Sequence, residues 1–171
     1  MEAQKTNYMP IDVIYSPQEF CEKIYNIMSG KSEKFSHRLV MMALAGRLIW
    51  RHRLIVLPFY GFLVKYMQPH QKEVSRVLTA FAESVHEHIP DDEIDGILKH
   101  LVEKFVNDKC SEFAMTLGLN TIREVATKLP SLLTEDLMLY LSSYYDYKNR
   151  NVSTAAKALI NLVRRVNPEI L

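Results

Sequence analysis

Three helix-like segments of this chain each end in a proline, and these prolines recur at intervals of 40 and 38 residues. The segments span residues 72–90, 111–130 and 150–168. Apolar residues stand at matching distances before each proline: Val74, Ala114 and Val152, then Val77, Leu117 and Ala155, then Val85, Val125 and Val163. Their spacing places them on one helical face. Helix pairs repeating at this interval predict an all-α solenoid of the HEAT or armadillo class, with an irregular helical bundle as the alternative.

The chain has 171 residues, of which 48% are hydrophobic, enough for the core of one domain. We expect residues 1–15 to form an N-terminal arm, and residues 16–171 to form a single domain. That domain should contain about seven or eight helices packed as antiparallel pairs. The predicted helical segments are 16–30, 32–52, 54–67, 72–90, 92–108, 111–130, 134–146 and 150–168.

Local signals predict where several helices begin and end. Ser16 and Glu19 fit a capping box, in which the serine caps the first helix. Gly30 is predicted to close that helix in a left-handed conformation. Asp91 and Thr134 are the predicted N-caps of two later helices.

Charge is distributed unevenly along the chain although the net charge is only +1. Residues 38–76 carry a net charge of +6, residues 77–146 carry −8 and residues 147–171 carry +4. The total excludes a uniformly basic coat protein. The separation of charge predicts patterned surfaces for partners instead.

No part of the sequence predicts a membrane span or a disulfide framework. The most apolar stretch, 54–67, is interrupted by Pro58, Gly61 and Lys65 and is shorter than the roughly twenty residues that a span requires. Cys21 and Cys110 stand alone, which favours a reducing intracellular setting. Residues 1–15 have no apolar core behind a basic start, so we expect no signal peptide. We therefore expect no membrane association.

Motifs for catalysis, metal binding and cofactor binding are missing from the sequence. The five glycines are scattered, so no phosphate-binding loop is predicted. His86 and His88 lie two residues apart on a predicted helix, which favours a structural or solvated pair over zinc ligands. The acidic run 91–95 lacks the pattern of a calcium loop and is interpreted as an acidic helix start. We expect no enzyme activity, no cofactor and no small-molecule substrate.

Basic residues recur at helical spacing in three places and form the candidate partner-binding or RNA-binding surface. These are Arg47 with Arg51, Lys72 with Arg76, and Arg150 with Lys157, Arg164 and the adjacent Arg165. Like charges one turn apart are mildly unfavourable in an isolated helix unless a partner relieves them. The pattern predicts a surface for phosphates or acidic proteins, and an ordinary solvated face is the alternative for each pair.

Several polar residues are assigned structural roles. Pro69, His70 and Gln71 are predicted to form a turn and cap before a helix. Asn120, with Arg123 and Glu124 nearby, lies in mid-helix where other repeats have alanine. We interpret Asn120 as hydrogen-bonded to a neighbouring loop, with ligand binding as the alternative.

A series of short motifs resembles one known family. In order they are Gln68-Pro69-His70-Gln71, Phe105-Val106 with Asp108, Gly118-Leu119-Asn120, Ile122-Arg123-Glu124, Thr134-Glu135-Asp136-Leu137, Lys148-Asn149-Arg150-Asn151-Val152, Ala155-Ala156, and Leu162, Arg164, Asn167-Pro168-Glu169 and Leu171. Over about residues 38–171 the chain closely resembles the Sda family, named for severe depolymerisation of actin. Members usually have Asp where Asn149 stands here, and they are generally several times longer.

The resemblance implies a non-catalytic protein of the nucleolus and nucleus that associates with pre-60S particles, their rRNA and their proteins. It implies a role in assembly and export of the large ribosomal subunit and a link to actin organisation, direct or indirect. A protein-binding module of the cytoskeletal or transport type is the alternative function. The oligomeric state is left open.

Overall fold

The computed structural model describes residues 9–170, and the regular elements within that range are helices. Residues 1–8 of the predicted arm and Leu171 of the family motif lie outside the described residues. The α-helices are α1 (Pro17–Met28), α2 (Phe35–His52), α3 (Leu57–Val64), α4 (Val74–Ser84), α5 (Asp91–Phe105), α6 (Glu112–Lys128), α7 (Glu135–Ser142) and α8 (Arg150–Val166). Short 3₁₀ turns span Pro10–Val13, Pro130–Leu132 and Pro168–Ile170.

The eight helices pack as four successive pairs in two rows. Each odd-numbered helix packs on the even-numbered helix that follows it. The even-numbered helices, row B, stack in chain order from α2 through α4 and α6 to α8. The odd-numbered helices form row A, in which α3 packs on α5. This neighbour-to-neighbour arrangement confirms the predicted all-α helical-repeat solenoid.

One continuous apolar core runs between the two rows from Cys21 to Val163. All of the matched apolar repeat positions are buried except Leu117, which is half-buried. Burying one face of each helix on its neighbours leaves the other faces to solvent. The exposed faces of the helices therefore determine which side chains can meet a partner.

Close backbone packing in row B depends on Gly46. A Cβ atom built on Gly46 would lie 2.7 Å from the carbonyl oxygen of Ala80, far inside normal contact. Glycine at this position therefore allows α2 to approach the backbone of α4 directly.

The predicted helix ends agree with the structure in part. The hydroxyl oxygen of Thr134 accepts a hydrogen bond from the Leu137 amide, as a capping residue should. Ser16 occupies the N-cap position of α1, but its side chain makes no capping hydrogen bond. Gly30 does not have a positive φ. Asp91 is the first residue of α5 and Pro90, with φ −54° and ψ 132°, is the N-cap.

Several predicted helices are shorter than the sequence pattern indicated, among them 54–67, which is helical over Leu57–Val64, and 134–146, which is helical over Glu135–Ser142. The segment 72–90 is helical only over Val74–Ser84, so Lys72 lies in the preceding turn and His86 and His88 lie in the following turn. The reason at the start is Glu73, whose φ of 58° interrupts the helical backbone. The helix predicted over 32–52 begins at Phe35.

Candidate docking surface

Helix α8 presents a stripe of cations along its exposed side. Asn149 begins the helix, and its side-chain oxygen accepts hydrogen bonds from the amides of Asn151 and Val152 at 2.9 and 3.2 Å. The buried side of α8 consists of Val152, Ser153, Ala155, Ala156, Leu159, Ile160, Leu162 and Val163. On the opposite side, Arg150 and Arg164 are exposed and Lys157 is half-buried. The predicted spacing of seven residues therefore forms a continuous basic stripe, with about 10.5 Å between successive residues.

The cations of this α8 stripe have few internal partners. Within residues 9–170, Arg150, Arg164 and Arg165 form no ion pair with a carboxylate. The Lys157 ammonium lies over the ring of Tyr145, 4.9 Å from its centroid. Arg164 and Arg165 lie in the last turn of α8, where the helix dipole favours positive charge. Their charges face solvent and are available to a partner.

The cations of α2 are exposed but paired with carboxylates from other elements. Arg47 lies 3.7 Å from a carboxylate oxygen of Glu83 on α4. Arg51 forms an ion pair with Asp12 in the Pro10–Val13 turn. The predicted pair of α2 thus serves two contacts within the protein, although both remain weak, solvated ion pairs.

Lys72 and Arg76 are both exposed, but they do not share a helix as expected. Arg76 lies on α4 and, with Arg47, lines a shallow groove of about 170 Å³ between α2 and α4. Helix α6 separates this basic group from the α8 stripe in row B. The structure therefore brings Arg47 and Arg76 to one groove, pairs Arg51 with Asp12, and places the α8 cations at the other end of the row.

The predicted turn residues 69–71 connect α3 and α4. The Gln71 amide donates to the Gln68 carbonyl at 3.0 Å, and the Gln71 carbonyl accepts from the Val74 amide at 3.2 Å. At the end of α8, the Asn167 amide donates to the Val163 carbonyl at 2.8 Å, and Pro168 opens the final 3₁₀ turn.

The polar residues in the middle of α6 differ from expectation. Asn120 is half-buried, and its side chain makes no hydrogen bond to any residue between 9 and 170, so the predicted bond to a loop is not formed there. Its half-buried position leaves the amide access to water. The Nε atom of Arg123 is buried without a hydrogen-bond partner among the described residues. Glu124 is exposed and lines a small groove of about 230 Å³ with Glu83 and Lys128.

A larger groove, unmarked by any local motif, lies where α2, α4 and α6 end. It has a volume of about 640 Å³, and its lining includes Trp50, Lys128 and Ile11. The Lys128 ammonium donates to the carbonyls of Ala82 and Glu83, both at 2.8 Å. It also lies 5.4 Å from the centroid of the Trp50 ring. Lys128 therefore ties together the C-terminal ends of three row B helices.

Partial burial lowers the pKa of Lys128, and the carboxylates of Glu83 and Glu124 counteract this shift. Sequence patterns could not identify Lys128 because its hydrogen-bond partners lie 45 and 46 residues earlier.

The two histidines singled out by sequence have different environments. His86 is buried, and a ring nitrogen, Nε2, is 2.7 Å from the Leu54 carbonyl oxygen. Its other ring nitrogen accepts from the His88 amide at 3.1 Å, which fixes a neutral ring with the proton on Nε2. Burial lowers the pKa of His86. The ring is thus engaged by the backbone, and His88 is exposed.

Reactive groups are not gathered into one site in the described part of the chain. Burial raises the pKa of the Cys21 thiol to about 11, so it stays protonated. No group of three potential metal ligands occurs in residues 9–170. Over the same range, no helix combines the length and apolar character needed to cross a membrane.

Comparisons with known proteins agree with this architecture. The family model described as "SDA1, HEAT repeat" matches residues 1–148, which includes the first 37 residues that the motif resemblance did not use. A protein SDA1 homolog from Caenorhabditis elegans is 40% identical over 170 residues, covering 99% of this chain and 21% of the relative.

Other relatives give a similar result. A protein SDA1 homolog from Xenopus laevis is 36% identical over 165 residues, covering 96% of this chain and 24% of the relative. Protein sda1 of Schizosaccharomyces pombe is 33% identical over 168 residues, covering 96% and 23%. The chain thus spans between a fifth and a quarter of the length of these relatives.

Proposed function

The chain belongs to the SDA1 family of HEAT-repeat proteins, and from this premise we propose that it is a docking scaffold for pre-60S ribosomal particles. In this role it acts in assembly and nuclear export of the large subunit, in the nucleolus and nucleus. The observation that carries the proposal is the α8 stripe, whose arginines have no ion pair among the described residues.

A row of cations whose arginines have no carboxylate partner within residues 9–170 suits rRNA phosphates or acidic protein surfaces. Each phosphate contact releases bound counterions, so binding of this kind weakens steeply as salt rises. The acidic region 77–146 supplies the opposite charge for basic ribosomal proteins. Separate patches of opposite sign would let one scaffold orient on a surface composed of RNA and protein.

Co-sedimentation tests this proposal. Tagged chain is mixed with extract at low and moderate salt, and its distribution across a density gradient is compared with that of large-subunit precursors. We expect R164E/R165E to reduce the co-sedimenting fraction by about tenfold. The control K104E/K109E makes the same charge change at exposed lysines outside α8 and should reduce it less than about twofold. Equal losses for both variants, or binding that salt does not change, would contradict docking through α8.

A second candidate function is a protein-binding module linked to actin organisation or transport. The groove around Trp50 supports it, because a half-exposed aromatic ring in a 640 Å³ groove suits a protein side chain. Affinity purification that recovers actin or transport factors without ribosomal precursors would favour this function over the first.

A further inference from the structure

Row A contains a groove between two of its helices. Helix α3 packs on α5, but α5 and α7 border a groove of about 440 Å³. Helix α7 has only 8 residues, compared with 15 in α5, so it covers only part of its neighbour. The groove lies between two successive helices of row A and is part of the fold.

The floor of this α5–α7 groove is apolar. Leu98 lies at the bottom, and Val102 and Leu137 are half-buried on its two sides. Tyr140 forms a wall: its side chain is 41% exposed, and its hydroxyl donates to the Val106 carbonyl at 2.7 Å. Because this hydrogen bond fixes the ring, the groove is formed before any partner arrives.

The rim of the groove is acidic. Asp95 and Asp136 line it, and the exposed Asp91 lies one turn before Asp95 on the same face of α5. Lys99 offsets part of this charge through its 2.8 Å ion pair with Asp95. Asp136 has no ion pair within residues 9–170. The rim thus keeps a net negative charge around an apolar floor.

We propose that the α5–α7 groove binds a short, basic amphipathic helix of a partner protein. Such a helix presents apolar side chains at positions i, i+3, i+4 and i+7 to a groove, and its flanking Lys or Arg residues can meet the carboxylates of Asp91, Asp95 and Asp136. A second copy of this chain is a poor occupant. Its own cationic helix, α8, has its apolar side buried and offers charge without an apolar anchor.

The proposal rests on the scaffold function and names the chemistry of one partner. Its test is separate, because it uses only purified chain and a synthetic probe. Peptide binding without co-sedimentation would leave the groove assignment standing and contradict the ribosomal role. Co-sedimentation without peptide binding would support the ribosomal role and contradict the groove assignment.

The probe is a fluorescently labelled 14-residue peptide of leucine and lysine, with leucines at i, i+3, i+4 and i+7 spacing. Its affinity is measured by anisotropy for the wild-type chain, for D91K/D136K and for E103K/E135K. The last variant makes the same charge change on the same two helices at residues that do not line the groove. We expect D91K/D136K to weaken binding about tenfold and E103K/E135K to weaken it less than about twofold.

A second variant tests the floor independently of the rim. V102K places a charged side chain in the groove and should abolish binding, with circular dichroism confirming that the helices remain. Equal weakening by D91K/D136K and E103K/E135K would overturn the proposal, since it would show general charge attraction. Equal binding of a peptide with serine in place of leucine would overturn it too. So would a dimer, seen by sedimentation, that D91K/D136K dissociates.

Discussion

Helices α2 and α8 both carry basic residues at helical spacing, but the two sets of charges face different environments. On α2, Arg47 and Arg51 meet Glu83 and Asp12, which belong to other elements. On α8, Arg164 and Arg165 meet no carboxylate in the described part of the chain. The same local pattern therefore serves internal contacts at one end of row B and an open surface at the other.

The difference shows which features of a basic surface can be read from local sequence and which depend on distant residues. An ion pair such as Arg51 with Asp12 joins residues 39 positions apart, and helical spacing does not report on it. The exposure of Arg164 follows from the amphipathic pattern of α8 alone. The comparison can be tested by measuring the stability of two kinds of variant, those that change packing between helices and those that remove a surface charge.

The largest expected effect concerns the packing of α2 on α4. G46A places a methyl group 2.7 Å from the Ala80 carbonyl oxygen and should lower the free energy of unfolding by about 2 kcal/mol. The matched control is G96A, because Gly96 in α5 has nothing within 4 Å of an added Cβ. It should raise the stability by about 0.5 to 1 kcal/mol through helix propensity. Urea unfolding measures both. Similar changes in the two variants would show that α2 and α4 are not in direct backbone contact.

The next effect compares two lysines that lie over aromatic rings. K128M removes the hydrogen bonds to Ala82 and Glu83 and should lower the free energy of unfolding by about 1 to 2 kcal/mol. K157M loses only the contact of its ammonium with Tyr145 and should cost about 0.5 kcal/mol. Thermal and urea unfolding of both variants check this order. A larger cost for K157M would mean that α8 depends on its stripe for stability.

A smaller effect is expected where α8 begins. Asn149 caps the helix with its oxygen, and its amide nitrogen donates to a Glu112 carboxylate oxygen at 2.8 Å. N149D keeps the cap but sets two carboxylates together, which should cost about 0.5 to 1 kcal/mol. In an E112Q background the glutamine can donate to the aspartate, and most of that cost should disappear. A cost that persists in E112Q would place its origin in the cap.

The smallest effect tests the comparison itself. R51A should lower the free energy of unfolding by about 0.5 kcal/mol, because it removes an exposed ion pair. R164A should change it by less than about 0.3 kcal/mol apart from the dipole contribution, because its side chain has no such pair in residues 9–170. A double-mutant cycle of R51A with D12A should give the interaction free energy of the Arg51–Asp12 ion pair. A larger stability loss from R164A than from R51A would contradict the conclusion that the α2 cations make internal contacts and the α8 cations face solvent.

The sequence predicted the solenoid because its information is local and repeated. Residues such as Val125 and Val163 stand at equal distances from their prolines and are fully buried. The α8 stripe was predicted for the same reason, since burial of one side of an amphipathic helix leaves the other side exposed.

Features that depend on distant residues could not be predicted. The interruption before α4 arises from the left-handed backbone of Glu73, a residue type that gives no such signal. The α5–α7 groove is lined by residues from two helices that are about 40 positions apart, and α7 ends at Ser142, whereas the sequence pattern extended it to residue 146. The role of Lys128 depends on carbonyls from another repeat. The groove and the Lys128 hydrogen bonds both join residues that are far apart in sequence.

Gly46 has a mechanical consequence for the whole array. Helices α2, α4, α6 and α8 stack in chain order, so the separation of α2 from α4 contributes to the position of every later helix of row B relative to α2. A change in this one contact would also displace α6 and α8, which follow α4 in row B. Gly46, which allows α2 to approach α4 closely, thus influences the geometry of the whole row.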